Sequence, residues 1–427
     1  MMKVRLKKDK QTKIGIFLLT ILLILSLVGF LLQNNHFEMI LLTAELIFIF
    51  VLAKVSYFTI ISFIFWFSFL QEYFASISRI LSAGRLAWVT SVPIYHSELF
   101  ICTSALFLME LFFFLTTNVV KNEKEMYRRK INITEKTALL YAIIAFILIL
   151  LAYPTAPSFG AELARDEGFL PSSLIVPVAV LMIAMTYDCL KDNMFIKIID
   201  ILSLFWIVFH GDRVIVLGFF VYFVLRYMNG GKKKMDTLKS TLFNKKTLLI
   251  LIVVFVLAAV FIRIQVTRDG NVFNMTKSEW LLNIVKQGTA GDVVYAFNCS
   301  VDMWKNGHGL NGASYLYYLS NILPSANQSL NPAYVLSLRY DTLGGGLYFV
   351  EPMINGGLIL TQLQTAVFLL LLVWVFAKKN KYGAFMAIPF VILIFRFAWY
   401  ASFAGLVKML LYYVPVLYFV AKKIRLR

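Results

Sequence analysis

The sequence predicts an all-α integral membrane protein with about 12 transmembrane helices and one large extracytoplasmic loop between spans 9 and 10. Three observations predict this fold class. Of the 427 residues, 60% are apolar and 15% are charged, which is more hydrocarbon than a soluble core can bury. The apolar residues form runs of about 20, the length that crosses a bilayer. The basic residues gather in short segments beside those runs, which is the positive-inside pattern.

The apolar runs place the predicted spans within a single polytopic domain, residues 1–427. The opening "MMKVRLKKDKQTK" precedes an apolar run that is long for a signal peptide and lacks a small-x-small cleavage site, so it predicts a retained first span. With the N-terminus in the cytoplasm, every basic cluster falls inside and both termini are cytoplasmic. The predicted spans are 14–32, 36–53, 55–71, 99–120, 137–153, 173–190, 195–211, 213–229, 247–263, 357–377, 383–398 and 401–421.

The large loop, residues 264–356, mixes aromatic residues with amides, hydroxyls, glycine and proline. Its short apolar runs "WLLNIVKQ" and "YLYYLSNIL" predict short helices in a folded cap on the membrane rather than a passive linker. Aromatic faces beside hydrogen-bonding groups suit carbohydrate. The candidate glycan-binding residues are Trp304, Tyr315, Tyr317 and Asn355.

Composition and missing motifs exclude several function classes. The net charge of +18 lies beside the spans and suits anionic lipid, so the sequence predicts no nucleic-acid partner. The three cysteines, Cys102, Cys189 and Cys299, fall in separate segments and predict neither a disulfide framework nor a metal cluster. The sequence has no P-loop, His-Glu-x-x-His, Cys-x-x-Cys or Asp-x-Asp motif, so we expect no metal and no cofactor.

The motif "HGDR" falls at the predicted outer turn between spans 7 and 8. An arginine there is well placed for a lipid-linked phosphate, because the guanidinium matches phosphate oxygens in two-point contact. Asp212 is a candidate to orient Arg213 or to act in catalysis, and His210 is a weaker candidate. The alternative is a plain helical hairpin whose Arg213 extends to the headgroups.

Four further arginines are candidates for binding the same phosphate. Arg263 and Arg268 follow span 9, and Arg339 lies in "SLRYD". Each is also explained as an interfacial or loop residue. Arg396 interrupts span 11 and needs an acidic side chain, a carbonyl or a phosphate nearby. Its candidate protein partners are Glu45 and Glu110.

Two residues near the loop are candidate bases. Glu351 lies in "GGGLYFVEPMINGG", where glycines and proline before a span favour a re-entrant segment that brings backbone close to a ligand. A carboxylate there suits a base or an acceptor for sugar hydroxyls. His308, between two glycines, is a second candidate base, although a lone loop histidine is more often a solvated residue.

Residues 204–400 resemble the O-antigen and capsular repeat-unit polymerases of the O-antigen ligase-polymerase superfamily. The resemblance rests on the G-x-R hairpin, one large late loop, and "EPMINGG" leading into the next span. Gly211 and Arg213 match the hairpin motif, while Glu351, Asn355 and Gly356 match the motif after the loop. Arg263, Arg268 and Arg339 occupy places where the family keeps loop arginines, with weaker alignment.

The resemblance implies an enzyme at the outer face of the bacterial plasma membrane that joins undecaprenyl-diphosphate-linked oligosaccharide units. Its partners would be those lipid-linked oligosaccharides, the bilayer, and a flippase and chain-length regulator of the same pathway. We expect the arginines to stabilise the departing diphosphate and Glu351 or His308 to take the acceptor proton, with inversion at the anomeric carbon. The alternatives are a lipid-linked oligosaccharide flippase, a ligase-type transferase that uses His308, and a membrane acyltransferase.

Overall fold

The computed structural model describes residues 10–129, 131, 133–155, 169, 172–189, 193–210, 212–230, 286–316, 332–342, 345–377, 381–400 and 409–425. Their regular structure is helical, apart from one isolated bridge between Gly346 and Tyr400. In chain order the α-helices are α1 Lys10–Leu32, α2 Asn35–Ala53, α3 Tyr57–Ile77, α4 Arg85–Trp88, α5 His96–Thr116, α6 Val119–Arg128, α7 Glu135–Ala152, α8 Ser172–Thr186, α9 Met194–Phe209, α10 Arg213–Gly230, α11 Gly288–Lys305, α12 Pro332–Ser337, α13 Val350–Ala377, α14 Lys381–Ile392, α15 Ile394–Tyr400 and α16 Val414–Arg425.

Six of the described helices are long and apolar enough to cross a bilayer: α1, α2, α3, α5, α7 and α13. Two shorter apolar helical stretches, Ile175–Cys189 and Val214–Asn229, cover the predicted spans 6 and 8. The protein is therefore a helical membrane protein, as the sequence predicts. The predicted span 247–263 lies outside the described residues, as do residues 401–408 of the last span, so the number of twelve stays a prediction.

Polar residues begin several helices where apolar runs begin in the sequence. The Asn34 side chain accepts a hydrogen bond from the Phe37 amide at the start of α2, and Ser56 caps α3 through Thr59 in the same way. Thr134 caps α7, and Asn193 caps α9 by accepting from two amides. Each cap satisfies an amide that has no partner within its helix, which fixes where the helix starts.

The chain divides into two compact units. The first comprises Met1–Lys124, Lys286–Lys379 and Ile394–Lys408. The second comprises Glu125–Val285, Asn380–Leu393 and Met409–Arg427. In the first unit α1, α2 and α5 pack together, and α11 packs against α3 and α13.

The short loop helices predicted at 280–287 and 315–323 lie almost entirely outside the described residues, and the longest helix of the described part of the loop is α11. It has 18 residues, and Val294, Ala296 and Phe297 are fully buried in the first unit. The Phe349 ring lies 6.4 Å from Phe297 and 5.0 Å from Phe65 on α3. The described start of the loop is thus part of a helical core, because its apolar side chains match those of α3 and of the segment before α13.

The segment between α3 and α5 packs onto α11. Its carbonyl at Ala83 comes so close to Gly291 that a Cβ there would lie 1.9 Å from the oxygen. The Arg85 amide donates to Asp292 Oδ1 at 2.7 Å, and Lys286 Nζ donates to the Ile80 carbonyl at 2.6 Å. Two segments that the sequence places on the same outer side therefore lie together.

In the second unit, α7 packs against α8 and α9, and α10 packs against α14. The crossing of α10 and α14 requires Gly218, because a Cβ there would lie 1.8 Å from the Ile392 carbonyl oxygen. Arg226 of α10 is 6% exposed and binds Asp188 in the turn after α8. The same guanidinium donates to the Arg129 carbonyl at 3.0 Å.

Candidate functional site

The candidate site lies where α13 folds back on itself in the first unit. Its backbone leaves helical geometry at Gly356 and Gly357, and Gly357 has φ 62°. The Tyr348 hydroxyl donates to the Gln364 carbonyl at 3.0 Å, and the Tyr348 ring lies 5.4 Å from the Phe368 ring. A straight helix would place residues 348 and 364 about 24 Å apart, so the chain reverses at the two glycines. This reversal gives the backbone shape that a re-entrant segment requires.

Glu351 occupies the short arm of this fold-back and is 1% exposed. Four residues later, Asn355 holds the loop that follows α11. Its Oδ1 accepts from the amides of Gly312 and Ser314 at 3.0 and 3.4 Å, and its Nδ2 donates to Ser314 Oγ at 2.6 Å. Asn355, predicted to bind glycan, is thus a positioning residue that fixes Ser314 beside Glu351.

The hydrogen-bond pattern around Ser314 suits an ionised Glu351. Ser314 Oγ accepts from Asn355, so its own proton is available for Glu351 Oε1, 3.5 Å away. A carboxylate accepts hydrogen bonds without donating any. Ser314 is therefore placed to donate a hydrogen bond to Glu351 in the ionised form that a general base needs.

Two of the predicted glycan-binding aromatics lie close to this arm. Trp304 is 36% exposed, and its indole packs so closely on Gly357 that a Cβ there would lie 2.4 Å from Nε1. The Tyr315 hydroxyl donates to Gln364 Oε1. Burial, with the nearby Glu351, raises the pKa of Tyr315 and keeps its phenol protonated. Both side chains are therefore held against α13, Trp304 at Gly357 and Tyr315 at Gln364, and part of the Trp304 ring is exposed.

The remaining predicted residues of the first unit are not gathered around Glu351 by any described hydrogen bond. His308 is exposed on the loop after α11, where its amide donates to the Met303 carbonyl at 3.0 Å. Arg339 is exposed after α12, and Arg396 is partly buried on α15. Glu45 and Glu110, the candidate protein partners of Arg396, lie in hydrogen-bond contact with serine hydroxyls, and neither forms an ion pair with Arg396 among the described residues.

The "HGDR" motif lies in the second unit. His210 is 4% exposed, stacks 4.7 Å from Tyr153, and places its ring nitrogens 2.8 and 2.9 Å from the carbonyls of Trp206 and Thr155. These contacts tie the end of α9 to the chain after α7, so His210 is a structural residue here. The Asp212 amide donates to the Ile207 carbonyl at 3.3 Å, and α10 begins at Arg213.

Several predicted residues fall outside the described part of the chain. These are Gly211, Arg263, Arg268 and Tyr317, together with the side chain of Arg213. Their roles stay predictions. Among the residues that are described, no three His, Cys, Asp or Glu side chains are grouped closely enough to hold a metal ion.

Sequence reasoning missed a polar network at the α11 end of the first unit. The hydroxyls of Tyr95 and Tyr340 donate to the two oxygens of Asp302, at 2.9 and 2.8 Å. Burial, together with these hydrogen bonds to Asp302, raises the pKa of both tyrosines. Arg85 binds Asp341 at 2.9 Å and lies over Trp88 at 5.5 Å.

The sequence contained little indication of this network, because the residues that form it are far apart along the chain. Arg85 stands in "LSAGRLAW", a stretch with no motif, and meets Asp341 only through the packing of that stretch onto α11. Ser314 and Gln364 likewise gain their importance from the reversal at Gly356 and Gly357.

Comparison with known proteins identifies no relative: no family model matches the chain, and neither do curated proteins or solved structures.

Proposed function

We propose that the protein is a polysaccharide repeat-unit polymerase, a metal-independent glycosyltransferase at the outer face of the bacterial plasma membrane. It joins undecaprenyl-diphosphate-linked oligosaccharides into O-antigen, capsular or exopolysaccharide. The observation that carries the proposal is the buried Glu351, positioned by Ser314 and Asn355 at the fold-back of α13. The helical membrane architecture supports the class of protein.

The chemistry is a direct displacement. The acceptor sugar hydroxyl attacks the anomeric carbon of the lipid-linked chain, the bond from that carbon to the diphosphate oxygen breaks, and undecaprenyl diphosphate leaves. Glu351 takes the acceptor proton, with His308 as the second candidate. The arginines at positions 213, 263, 268, 339 and 396 are proposed to stabilise the charge that develops on the leaving group. Direct attack inverts the anomeric configuration.

The burial of Glu351 sets a condition on this mechanism. Ser314 and the loop after α11 cover the carboxylate, so the acceptor hydroxyl must replace the Ser314 hydroxyl to reach it. Trp304, an exposed aromatic packed on the turn, would contact the incoming glycan, and Tyr315 and Asn355 lie on the same side of the fold-back. Tyr317, outside the described residues, stays a candidate glycan contact.

One observation favours the transporter alternative. Glu45 and Glu110 are fully buried in α2 and α5, and a transporter places ionisable residues within its spans. Loss of a flippase and loss of a polymerase differ in where single lipid-linked repeat units accumulate. Loss of a flippase keeps them on the cytoplasmic leaflet, whereas loss of a polymerase lets single units reach the cell surface.

The test is complementation of a deletion strain with Glu351→Gln and Arg213→Ala. We expect each protein to insert at normal levels while long polysaccharide falls by about 10²–10⁴-fold for Glu351→Gln, since a positioned base contributes about that factor. Single repeat units should still appear at the surface.

Glu135→Gln, at an exposed carboxyl of the second unit, is the matched control and should keep the wild-type length distribution. An unchanged distribution in Glu351→Gln would refute the base, and an unchanged one in Arg213→Ala would refute its phosphate role.

A further inference from the structure

Six acidic side chains outside the candidate site are buried among the described residues, and three of them adjoin a hydroxyl network that also contacts a helix carbonyl: Glu45, Glu110 and Asp200. Glu45 and Glu110 in the first unit are 0% exposed, and Asp200 in the second is 3% exposed. The ion pairs among the described residues join Arg85 to Asp341, His96 to Glu38, Arg226 to Asp188, and Lys305 to Glu98. None of these pairs includes the three acids, although an ionised carboxylate inside a membrane protein needs a compensating partner.

The hydrogen-bond contacts of Glu110 indicate that its carboxyl group is protonated. Ser62 Oγ lies 2.7 Å from the Phe58 carbonyl oxygen and in hydrogen-bond contact with Glu110 Oε2. A hydroxyl has one proton, and the carbonyl four residues earlier is its usual acceptor in a helix. An ionised Glu110 would leave two acceptors competing for that proton. A protonated Glu110 donates to Ser62, Ser62 donates to Phe58, and both contacts are satisfied.

Glu45 repeats the pattern with one more link. Ser26 Oγ lies 2.8 Å from the Leu22 carbonyl, Ser104 Oγ lies 2.8 Å from Ser26 Oγ, and Glu45 Oε1 lies 2.9 Å from Ser104 Oγ. Glu45 Oε1 also lies 3.0 Å from Ser26 Oγ, so the two serines supply two protons for four contacts. A proton on Glu45 completes a continuous chain from the carboxyl through Ser104 and Ser26 to the carbonyl, which links α2, α5 and α1.

Asp200 shows the same arrangement independently in the second unit. Thr186 Oγ1 lies 2.7 Å from the Ile183 carbonyl and 2.6 Å from Asp200 Oδ2. The single hydroxyl proton of Thr186 again faces two acceptors unless Asp200 carries one of its own. The remaining oxygens, Glu45 Oε2, Glu110 Oε1 and Asp200 Oδ1, are buried and have no hydrogen-bond partner among the described residues, which a neutral carboxyl tolerates better than a carboxylate.

Glu351 is the counterexample within the same protein. Its neighbour Ser314 accepts a hydrogen bond from Asn355 and therefore has its own hydroxyl proton to donate. We infer that Glu45, Glu110 and Asp200 are proton-binding sites: each holds one proton at neutral pH, donates it to a hydroxyl, and keeps it as a structural ligand that does not move during activity.

The surroundings of the two acids in the first unit support retention of the proton. Glu45 faces Ser26 of α1 and Ser104 of α5. The titratable groups that interact with Glu110 are Glu123 and Tyr57. Serines and a tyrosine carry no cationic charge, and a second carboxyl opposes ionisation.

The test is infrared spectroscopy of the full-length protein in lipid at neutral pH. Wild type should show a carboxylic-acid carbonyl band, separate from the carboxylate bands, that shifts in D₂O. Glu45→Gln, Glu110→Gln and Asp200→Asn should each remove one acid group from that band, because the amide replaces the donor without adding charge. Glu135→Gln, at an exposed carboxyl, is the matched control and should lower the carboxylate bands instead.

Three results would overturn the inference or part of it. A wild-type spectrum without an acid band refutes it even if a variant fails to fold. Loss of carboxylate rather than acid intensity in a Gln or Asn variant refutes that site. Polymer formation by Glu45→Gln and Glu110→Gln should stay within about twofold of wild type. A tenfold loss of polymer in a stable variant would show that the proton takes part in activity, against the structural role.

Discussion

Charge is accommodated in the helical core in two ways at the level of single residues. Glu45, Glu110 and Asp200 adjoin hydroxyls that require the acid to donate. Arg226 instead meets an opposite charge, since its guanidinium contacts both oxygens of Asp188 and stacks 5.0 Å from the Tyr187 ring. The sequence showed Arg226 only as one more basic residue near a predicted cytoplasmic end. Its buried partner is visible only in the folded chain.

Removal of one member of this pair should be strongly destabilising. Arg226→Ala leaves Asp188 without its cation, and breaking a buried pair from one side costs about 3–5 kcal/mol. Thermal unfolding in detergent should therefore shift to a clearly lower midpoint. Arg226→Met combined with Asp188→Leu should recover much of the loss, because no unpaired charge remains. Lys121→Ala, at an exposed lysine, is the control. Equal midpoints for Arg226→Ala and Lys121→Ala would contradict the importance of the pair.

Glycines determine how the helices and connecting segments approach one another. Gly218 lets α10 reach α14, and Gly357 permits the reversal of α13 against Trp304. Gly291 lets the segment after α3 lie on α11, where the Arg85 amide then reaches Asp292. Such contacts have no signature in a single sequence, because a glycine in a helix looks the same whether or not another backbone touches it.

Gly291→Ala tests the docking of that segment. The added methyl would lie 1.9 Å from the Ala83 carbonyl, and backbone cannot move aside as a flexible side chain can. We expect a loss of about 1–3 kcal/mol, the usual cost of overpacking, and faster hydrogen exchange in residues 79–92. Gly15→Ala is the control, since its methyl meets the movable end of Leu115. Unchanged exchange in residues 79–92 would mean that the close approach is absent in solution.

At the scale of the whole molecule, contacts inside each unit agree with the predicted sidedness. In the first unit the predicted outer segments 72–98 and 264–356 meet through Arg85 and Asp292. In the second, the predicted cytoplasmic ends of spans 6 and 8 meet the predicted cytoplasmic segment 121–136, where Asp188 binds the Ile131 amide and Arg226. Segments that touch lie on the same side of a bilayer, so the grouping supports the topology, while the direction of insertion stays a prediction.

Cysteine labelling in intact cells tests that direction. In a background with Cys102, Cys189 and Cys299 replaced by alanine, a membrane-impermeant maleimide should label Leu338→Cys and Phe169→Cys, both exposed positions predicted outside. Lys121→Cys, exposed and predicted inside, should react only after permeabilisation. The reverse pattern would invert the topology and remove the proposed active site from the outer face.

The sequence by itself determined that this is a helical membrane protein and where most of the described helices lie. It also indicated that the glycines around Glu351 favour a re-entrant segment. Hydrophobic runs and cap residues act locally, and so they are readable along the chain. Only the tertiary structure decided that α11 is buried, that α13 reverses beside Ser314, and which acids face hydroxyls that need their protons. Those features depend on which groups from distant segments come within hydrogen-bond distance, and spacing along one sequence does not specify that.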